Sequence, residues 1–249
     1  SENKNRTQPK IYVGCAKWNR ADLKGFYPRG TKDELEYYSK QFNSIELNAT
    51  FYRNFPAQQF QNWRSKTPDN FKFFPKLGQE ISHWKRLNGV EEVVNSYLYN
   101  FSNLQEKLGT IFLHLHANFG PKNFDKLQNF VESWPKETPL AVEVRHKDWF
   151  ADKVVKKDFY QLLEKHNIAN VLVDTAGRRD MMHMRLTNNE AFVRYVGANH
   201  PTDYDRLDDW INKLREWIDA GLNKIHFFIH QNIEQESTLL SAYFKQYGH

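Results

Sequence analysis

Hydrophobic residues along this chain recur with two different periods, and the two take turns. Short segments with alternating or continuous apolar side chains read as eight strands: Ile11–Gly14, Ser44–Asn48, Phe71–Lys76, Thr110–Leu115, Leu140–Arg145, Ile168–Asp174, Phe192–Val196 and Lys224–His230. Between them the apolar positions fall three to four apart, as on a helix, over Asp33–Gln41, Pro56–Lys66, Val90–Lys107, Phe124–Ser133, Asp152–His166, Tyr204–Ala220 and Ser237–Gln246. Pro56 stands early in its helix, where a missing N–H costs nothing, and Leu108-Gly109 closes another. The interval 175–189 breaks the rhythm, so the helix after strand six is expected to be short or missing.

Strands that alternate with helices at intervals of roughly thirty residues predict a parallel sheet wrapped by helices. Eight such units without a dinucleotide-type glycine fingerprint favour a closed TIM-like (β/α)8 barrel over an open doubly wound sheet. No shift in composition marks a boundary. The expectation is one domain over residues 11–249, preceded by a flexible polar arm, 1–10.

In such a barrel the active site lies at the C-terminal mouth of the strands, and the unusual polar residues here fall late in each strand. Strand two ends in Glu46 and Asn48, strand three in Lys76, and strand four carries His114 with His116 beyond it. Strand five delivers Glu143, Arg145 and His146, with Trp149 close behind; strand six ends in Asp174, seven carries Arg194, and eight ends in His230, Gln231 and Asn232. Period-two alternation sets Glu143 and Arg145 on one face. A carboxylate and a guanidinium inside an apolar strand require either a site or a structural ion pair.

The run Glu46-Leu47-Asn48-Ala49-Thr50-Phe51-Tyr52-Arg53, after Gly25-Phe26-Tyr27-Pro28 and Tyr37-Tyr38, resembles the YecE-like family, also catalogued as domain of unknown function 72. Glu143-Val144-Arg145-His146-Lys147-Asp148-Trp149 is similar to its Glu-x-Arg-His-x-x-Trp, Ile81-Ser82-His83 to its Ile-Thr-His, and Asp174 stands where its sixth strand ends in Asp. The resemblance spans residues 11 to about 245. It implies a TIM-like barrel, no established reaction, and a binding role for Glu46, Asn48, Tyr52, Glu143 and Arg145. Two departures stand out: Arg194-Tyr195-Val196-Gly197 replaces Arg-x-His-Gly at strand seven, and Ile229-His230-Gln231 replaces Phe-Asn-Asn at strand eight.

Composition narrows the setting. The apolar fraction is 40%, with nineteen Phe and seven Trp, enough for a full core. No stretch approaches the ~20 apolar residues of a membrane span, no secretory h-region follows the first residues, and the single cysteine, Cys15, excludes an intramolecular disulfide. A cytoplasmic protein is expected. The formal net charge of +5 is spread along the chain without a basic run, which suits a small anionic ligand; no oligomeric state is specified.

The candidate chemistry is acid–base or hydrolytic, of hydrolase or lyase type. Glu143 would orient or act as base, since a neighbouring arginine keeps a carboxylate ionised. Glu46, framed by Ile45 and Leu47, is the candidate acid, and Asp174 a second base. Arg145, Arg194 and Lys76 would hold the anion, a phosphorylated or sugar-derived compound, while Asn48, Tyr52, His83, His146, Trp149 and His230 would complete the pocket. A glycosidase version would set Glu46 and Glu143 on either side of a sugar, with Trp18, Trp84 and Trp149 as platforms. No cofactor is required; a loosely held divalent ion on His83, His116, Glu143, Asp174 and His230 stays open, although no ligand-spaced motif exists and the nearby cations oppose it. Cys15 beside Lys17 reads as a small buried hydrophobe rather than a nucleophile, Arg178 and Arg179 as solvated surface, and Met181, Met182 and Met184 as packing. The alternative is a nucleotide- or nucleic-acid-binding module using Trp84-Lys85-Arg86 and Arg178-Arg179, against which stand the carboxylates at the mouth.

Overall fold

The computed structural model describes residues 8–177, 183–231 and 234–247. Eight parallel strands form it: β1 (Lys10–Cys15), β2 (Ser44–Leu47), β3 (Lys72–Pro75), β4 (Ile111–His114), β5 (Leu140–Glu143), β6 (Ala169–Thr175), β7 (Glu190–Gly197) and β8 (Lys224–Gln231). Each pairs with its sequence neighbours except β3 with β4, and β1 also pairs with β8, giving the order β3-β2-β1-β8-β7-β6-β5-β4. The seam between β3 and β4 is narrow. Gly109 N donates to Phe73 O (2.7 Å) and Leu77 N to Phe112 O (3.0 Å), and these bonds close the barrel. Gly109 is required there, because a Cβ at this position would lie 2.7 Å from the Phe74 ring.

The helices are α1 (Glu34–Gln41), α2 (Ala49–Tyr52), α3 (Ala57–Ser65), α4 (Glu91–Ser102), α5 (Phe124–Ser133), α6 (Asp148–Ala151), α7 (Lys153–Lys165), α8 (Thr202–Asp219) and α9 (Ser237–Tyr247). Capping explains two boundaries: Asp33 accepts from Glu36 N, and Asp152 accepts from Val154 N and Val155 N. Pro56 stands at the N-cap of α3, one position ahead of its expected place. The helix expected over Val90–Lys107 is broken after Ser102 and resumes as a 3₁₀ turn, Gln105–Lys107, whose first residue has φ +53°. Helix α2 and a π-helical turn, Glu80–Trp84, occupy segments between the elements predicted from periodicity.

Between β6 and β7 no helix occurs among the described residues, and Met184 packs against the core beside α8. Arg178, Arg179, Met181, Met182 and Asn232 lie outside the described residues. Among the described residues, no helix is long and apolar enough to cross a membrane.

Apolar side chains on the outer faces of the strands meet the inner stripes of the helices, as in the contacts of Ile45, Phe73, Leu113 and Val142 with Leu35, Phe60, Phe101 and Leu163. The opposite strand face fills the barrel with Tyr12, Phe74, Phe112, Ala141, Val171, Phe192 and Phe228. Cys15 is fully buried, its thiol pushed up to about 11 by burial, with Sγ 3.4 Å from Ser241 Oγ. It is an inert part of the core, as expected, and Lys17 pairs with Asp22 instead.

Candidate functional site

The strand period builds the site. Two residues beyond each phenylalanine of the barrel floor, in strand phase, stands a polar side chain: Lys76 after Phe74, His114 after Phe112, Arg194 after Phe192, His230 after Phe228. Glu143 follows Ala141 in the same way, and Glu46 comes from β2. The result is an ionic layer resting on a phenylalanine floor, with the Arg194 guanidinium 5.3 Å from the Phe112 ring centroid.

At its centre Arg194 bridges two carboxylates. Its Nε donates to Glu46 Oε1, and its Nη1 donates to Glu143 Oε1 at 2.6 Å. Glu46 Oε2 is further held by His230 Nε2 and by Asn48 Nδ2 at 3.0 Å. Burial acts to raise Glu46, but Arg194 and His230 outweigh it and hold the carboxyl well below the ordinary range. Burial likewise opposes ionisation of Glu143, but the Arg194 and Arg145 guanidiniums beside it hold its carboxyl below the ordinary range. Both groups are anions at neutral pH. The expectation of Glu46 as a general acid is therefore corrected: its apolar sequence neighbours point outward to the helices, and its own carboxylate meets cations from β7 and β8. The glycosidase arrangement, which needs one carboxyl kept protonated, goes with it. Arg194, expected to grip a ligand, instead spends its Nε and Nη1 on the protein's own carboxylates.

Strand β5 ends at Glu143, so Arg145 escapes the strict alternation expected of it and reaches the rim with half of its side chain exposed. Its Nη1 lies 3.1 Å from His114 Nε2 and 3.9 Å from Glu143 Oε2, while His114 Nε2 is 3.2 Å from the same Glu143 oxygen. A guanidinium only donates, so Nε2 accepts from Arg145 when the imidazole proton is on Nδ1. Burial draws His114 down to about 3 and keeps it neutral.

Lys76 is 8% exposed, and its ammonium sits 4.2 Å from the Phe51 ring centroid. Burial first, and then Arg194, lower it to about 8, with Glu143 and Glu46 pulling the other way. His83 Nδ1 is 2.7 Å from Ser82 Oγ, and its ring packs edge-on against Phe51 and His116. Burial and the His116 ring bring it to about 4. His146 Nδ1 accepts from Asp148 N at 3.0 Å, which leaves its proton on Nε2; its ring packs over Gly120, where a Cβ would come within 3.2 Å.

Two cavities open on the layer. One, of about 380 Å³, is lined by Glu143, Arg145, His146, Lys147, Asn118 and Thr175. The other, of about 340 Å³, reaches Glu46 and Asn48 between Trp18 and Tyr52, the latter 73% exposed. The ionic triad thus has one carboxylate facing each cavity.

Two expected site residues are elsewhere. Asp174 is one position out of phase: Val171 and Val173 face the barrel, so its carboxylate points outward, where Arg206 Nη2 and Trp210 Nε1 of α8 each donate to it at 2.7 Å. It fastens strand to helix and does not face the mouth. Trp149 is fully buried among Phe119, Phe124 and Phe159, with Nε1 donating to Phe119 O at 2.8 Å, so it offers no platform. Trp18 packs edge-on against Trp63, and Trp84 is 68% exposed. Among the described residues, no three His, Cys, Asp or Glu side chains form a metal-holding group.

Glu234 was not anticipated. Its Oε1 lies 4.0 Å from His230 Nδ1, and burial raises its carboxyl. It opens a short acidic 3₁₀ turn, Glu234–Glu236, whose sequence has no apolar periodicity, so only the tertiary contact reveals it. The departure at strand eight also acquires a meaning: His230 reaches Glu46, while Gln231 faces outward and donates to Asp203.

Fold and site together define a closed, all-parallel (β/α)8 barrel with a buried ionic layer at the C-terminal mouth. The chain belongs to the DUF72 family: the model of "Protein of unknown function DUF72" matches residues 12–249. It is 29% identical over 229 residues to the UPF0759 protein YecE of Escherichia coli K12, covering 83% of this chain and 82% of that protein. It is 28% identical over 206 residues to the UPF0759 protein YunF of Bacillus subtilis, covering 76% and 71%. A DUF72 family protein from Thermotoga maritima superposes with a TM-score of 0.76 at 24% identity, covering 95% of this chain and 98% of the other. One from Enterococcus faecalis gives 0.78 at 18%, covering 95% and 94%. At these identities the structural likenesses bear on fold alone. The YecE-like resemblance and the barrel expected from the sequence both hold.

Proposed function

We propose that the chain is an enzyme that performs acid–base chemistry on a small anionic substrate, phosphorylated or sugar-derived, at the C-terminal mouth of the barrel. One observation carries the reading. Glu143 Oε2, on a residue 1% exposed, accepts no well-formed hydrogen bond among the described residues, yet Glu143 lines the larger cavity with Arg145 at the rim. A buried structural carboxylate would accept hydrogen bonds at both oxygens, whereas Oε2 has only the close approach of His114 (3.2 Å) and Arg145 (3.9 Å).

The roles follow from the electrostatics. Arg145, half exposed, meets the anionic group of the substrate in a forked contact. Glu143, fixed as an anion by Arg194, orients a donor of the substrate through Oε2. Lys76 lies nearest the working range of a proton-transfer group at neutral pH. Asn48, Tyr52, His83 and His146 position the substrate around this axis, and Glu46 with His230 supports Arg194 from behind.

The test is thermal unfolding against a panel of small phosphate esters and carboxylates. A ligand at a hundred times its Kd stabilises by about 2.7 kcal/mol, about 5–10 °C for a domain of this size. Arg145→Met and Glu143→Gln should lose the response and keep the circular dichroism of the parent. An undiminished response in both variants removes the assignment.

A further inference from the structure

Two lysines are buried among the described residues, and they differ in one respect. Lys107 Nζ donates to Arg64 O, Thr67 O and Thr67 Oγ1, so its ammonium is satisfied and its role is structural. Lys76, also buried, makes no hydrogen bond and no ion pair among the described residues; its charge-stabilising contact is the face of Phe51. An ammonium largely screened from water without oxygen acceptors is at a disadvantage against its neutral form. The backbone around it is firmly held: Lys76 N donates to Leu47 O, and Thr50 Oγ1 donates to Lys76 O. The side chain therefore leaves the barrel wall at a fixed point in the ionic layer, where Arg194 and Arg145 disfavour its proton and Glu143 and Glu46 lie within electrostatic reach.

From this contrast we propose that Lys76 acts as an amine nucleophile, holding an aldehyde or ketone substrate as an imine on Nζ. The inference rests on the anion-binding reading above and narrows its substrate to a carbonyl compound bearing an anionic group. In the first step the Nζ lone pair forms a bond to the carbonyl carbon as the C=O π bond breaks, and a proton moves from nitrogen to oxygen, giving a carbinolamine. In the second, the hydroxyl leaves with a proton as water while the nitrogen lone pair closes the C=N bond. One water is released and nothing is oxidised or reduced. On protonation the imine places its positive charge where the ammonium stood, beside Glu143 and Glu46. It then draws electrons from the neighbouring carbon, which is what a lyase-type or proton-transfer step there requires.

The experiment uses the full chain with glyoxylate, a small anionic aldehyde, and cyanoborohydride at pH 7, followed by peptide mass mapping; acetaldehyde serves as the uncharged probe. Lowering an amine from 10.5 to about 8 gives roughly 300 times more free base at pH 7, and after allowance for restricted access the adduct at Lys76 should still form at least ~10 times faster than at any other lysine. Lys76→Arg and Lys76→Met should both remove the fast phase while the fold, read by circular dichroism, persists. Arg145→Met should slow the reaction with glyoxylate more than that with acetaldehyde, since the second loses only the help Arg145 gives in keeping the Lys76 amine unprotonated while the first also loses the anion contact. If Lys76 reacts no faster than surface lysines while small anions still stabilise the parent through Arg145, the imine is refuted and the anion site stands. If neither rate enhancement nor stabilisation is seen, both readings fall.

Discussion

Replacing Arg194 with methionine tests the electrostatic core of the site. The guanidinium is the shared partner of Glu46, fully buried, and Glu143, 1% exposed. Removing it leaves two carboxylates in a low-dielectric layer with burial unopposed from that side. Breaking a buried pair by removing one partner costs about 3–5 kcal/mol. The Glu143 carboxyl is held below its ordinary value by Arg194 among other partners, so its shift gives the sign of the loss.

The pH dependence fixes the sign. A carboxyl whose folded value lies below its unfolded value binds fewer protons when folded, so its contribution is complete above pH 4.5 and is lost as pH falls towards 2. In Arg194→Met the folded values rise, so that stability gain disappears and the penalty is greatest at neutral pH. Urea unfolding followed by tryptophan fluorescence at pH 3 to 7 should show a deficit of about 3–5 kcal/mol at pH 7 that narrows as pH falls below 4.5. A deficit below about 1 kcal/mol, the range of exposed pairs, or one independent of pH, would refute the triad as the element that keeps both carboxylates ionised.

Three further outcomes follow from the geometry. Asp174→Asn should lower stability by about 1–3 kcal/mol, through loss of the ion pair to Arg206, yet leave ligand-induced stabilisation unchanged, as thermal unfolding with and without the best anion will read. Gly109→Ala forces a methyl group against the Phe74 ring at the β3–β4 seam and should destabilise by about 1–3 kcal/mol in urea titrations. The Cys15 thiol should react with a disulfide reagent only as fast as the chain unfolds, since it is buried and raised to about 11; a fast phase in native buffer would contradict that placement.

Some of this protein was legible one residue at a time. The alternation of short apolar strands with helical stretches specified the barrel, because period two and period 3.6 are properties of the local backbone. The late position of the polar residue on each strand specified an ionic mouth, because residues two apart on a strand share a face: Phe74 and Lys76, Phe112 and His114, Phe192 and Arg194.

Where strand phase or partner choice decided the outcome, local pattern was silent. Val171, Leu172 and Val173 are all apolar, so nothing in the segment says whether Asp174 faces the barrel or α8; the contacts with Arg206 and Trp210 decide it. Glu46 looked like an acid in an apolar frame until Arg194, 148 residues away, and His230 met its carboxylate. Trp149 followed a polar motif directly but turned into the core against Phe119. Protonation state depends on charges brought together in space, and only folding sets those distances. The sequence on its own determined which residues could share a face; the closed barrel determined which of them share a proton, a charge or a cavity.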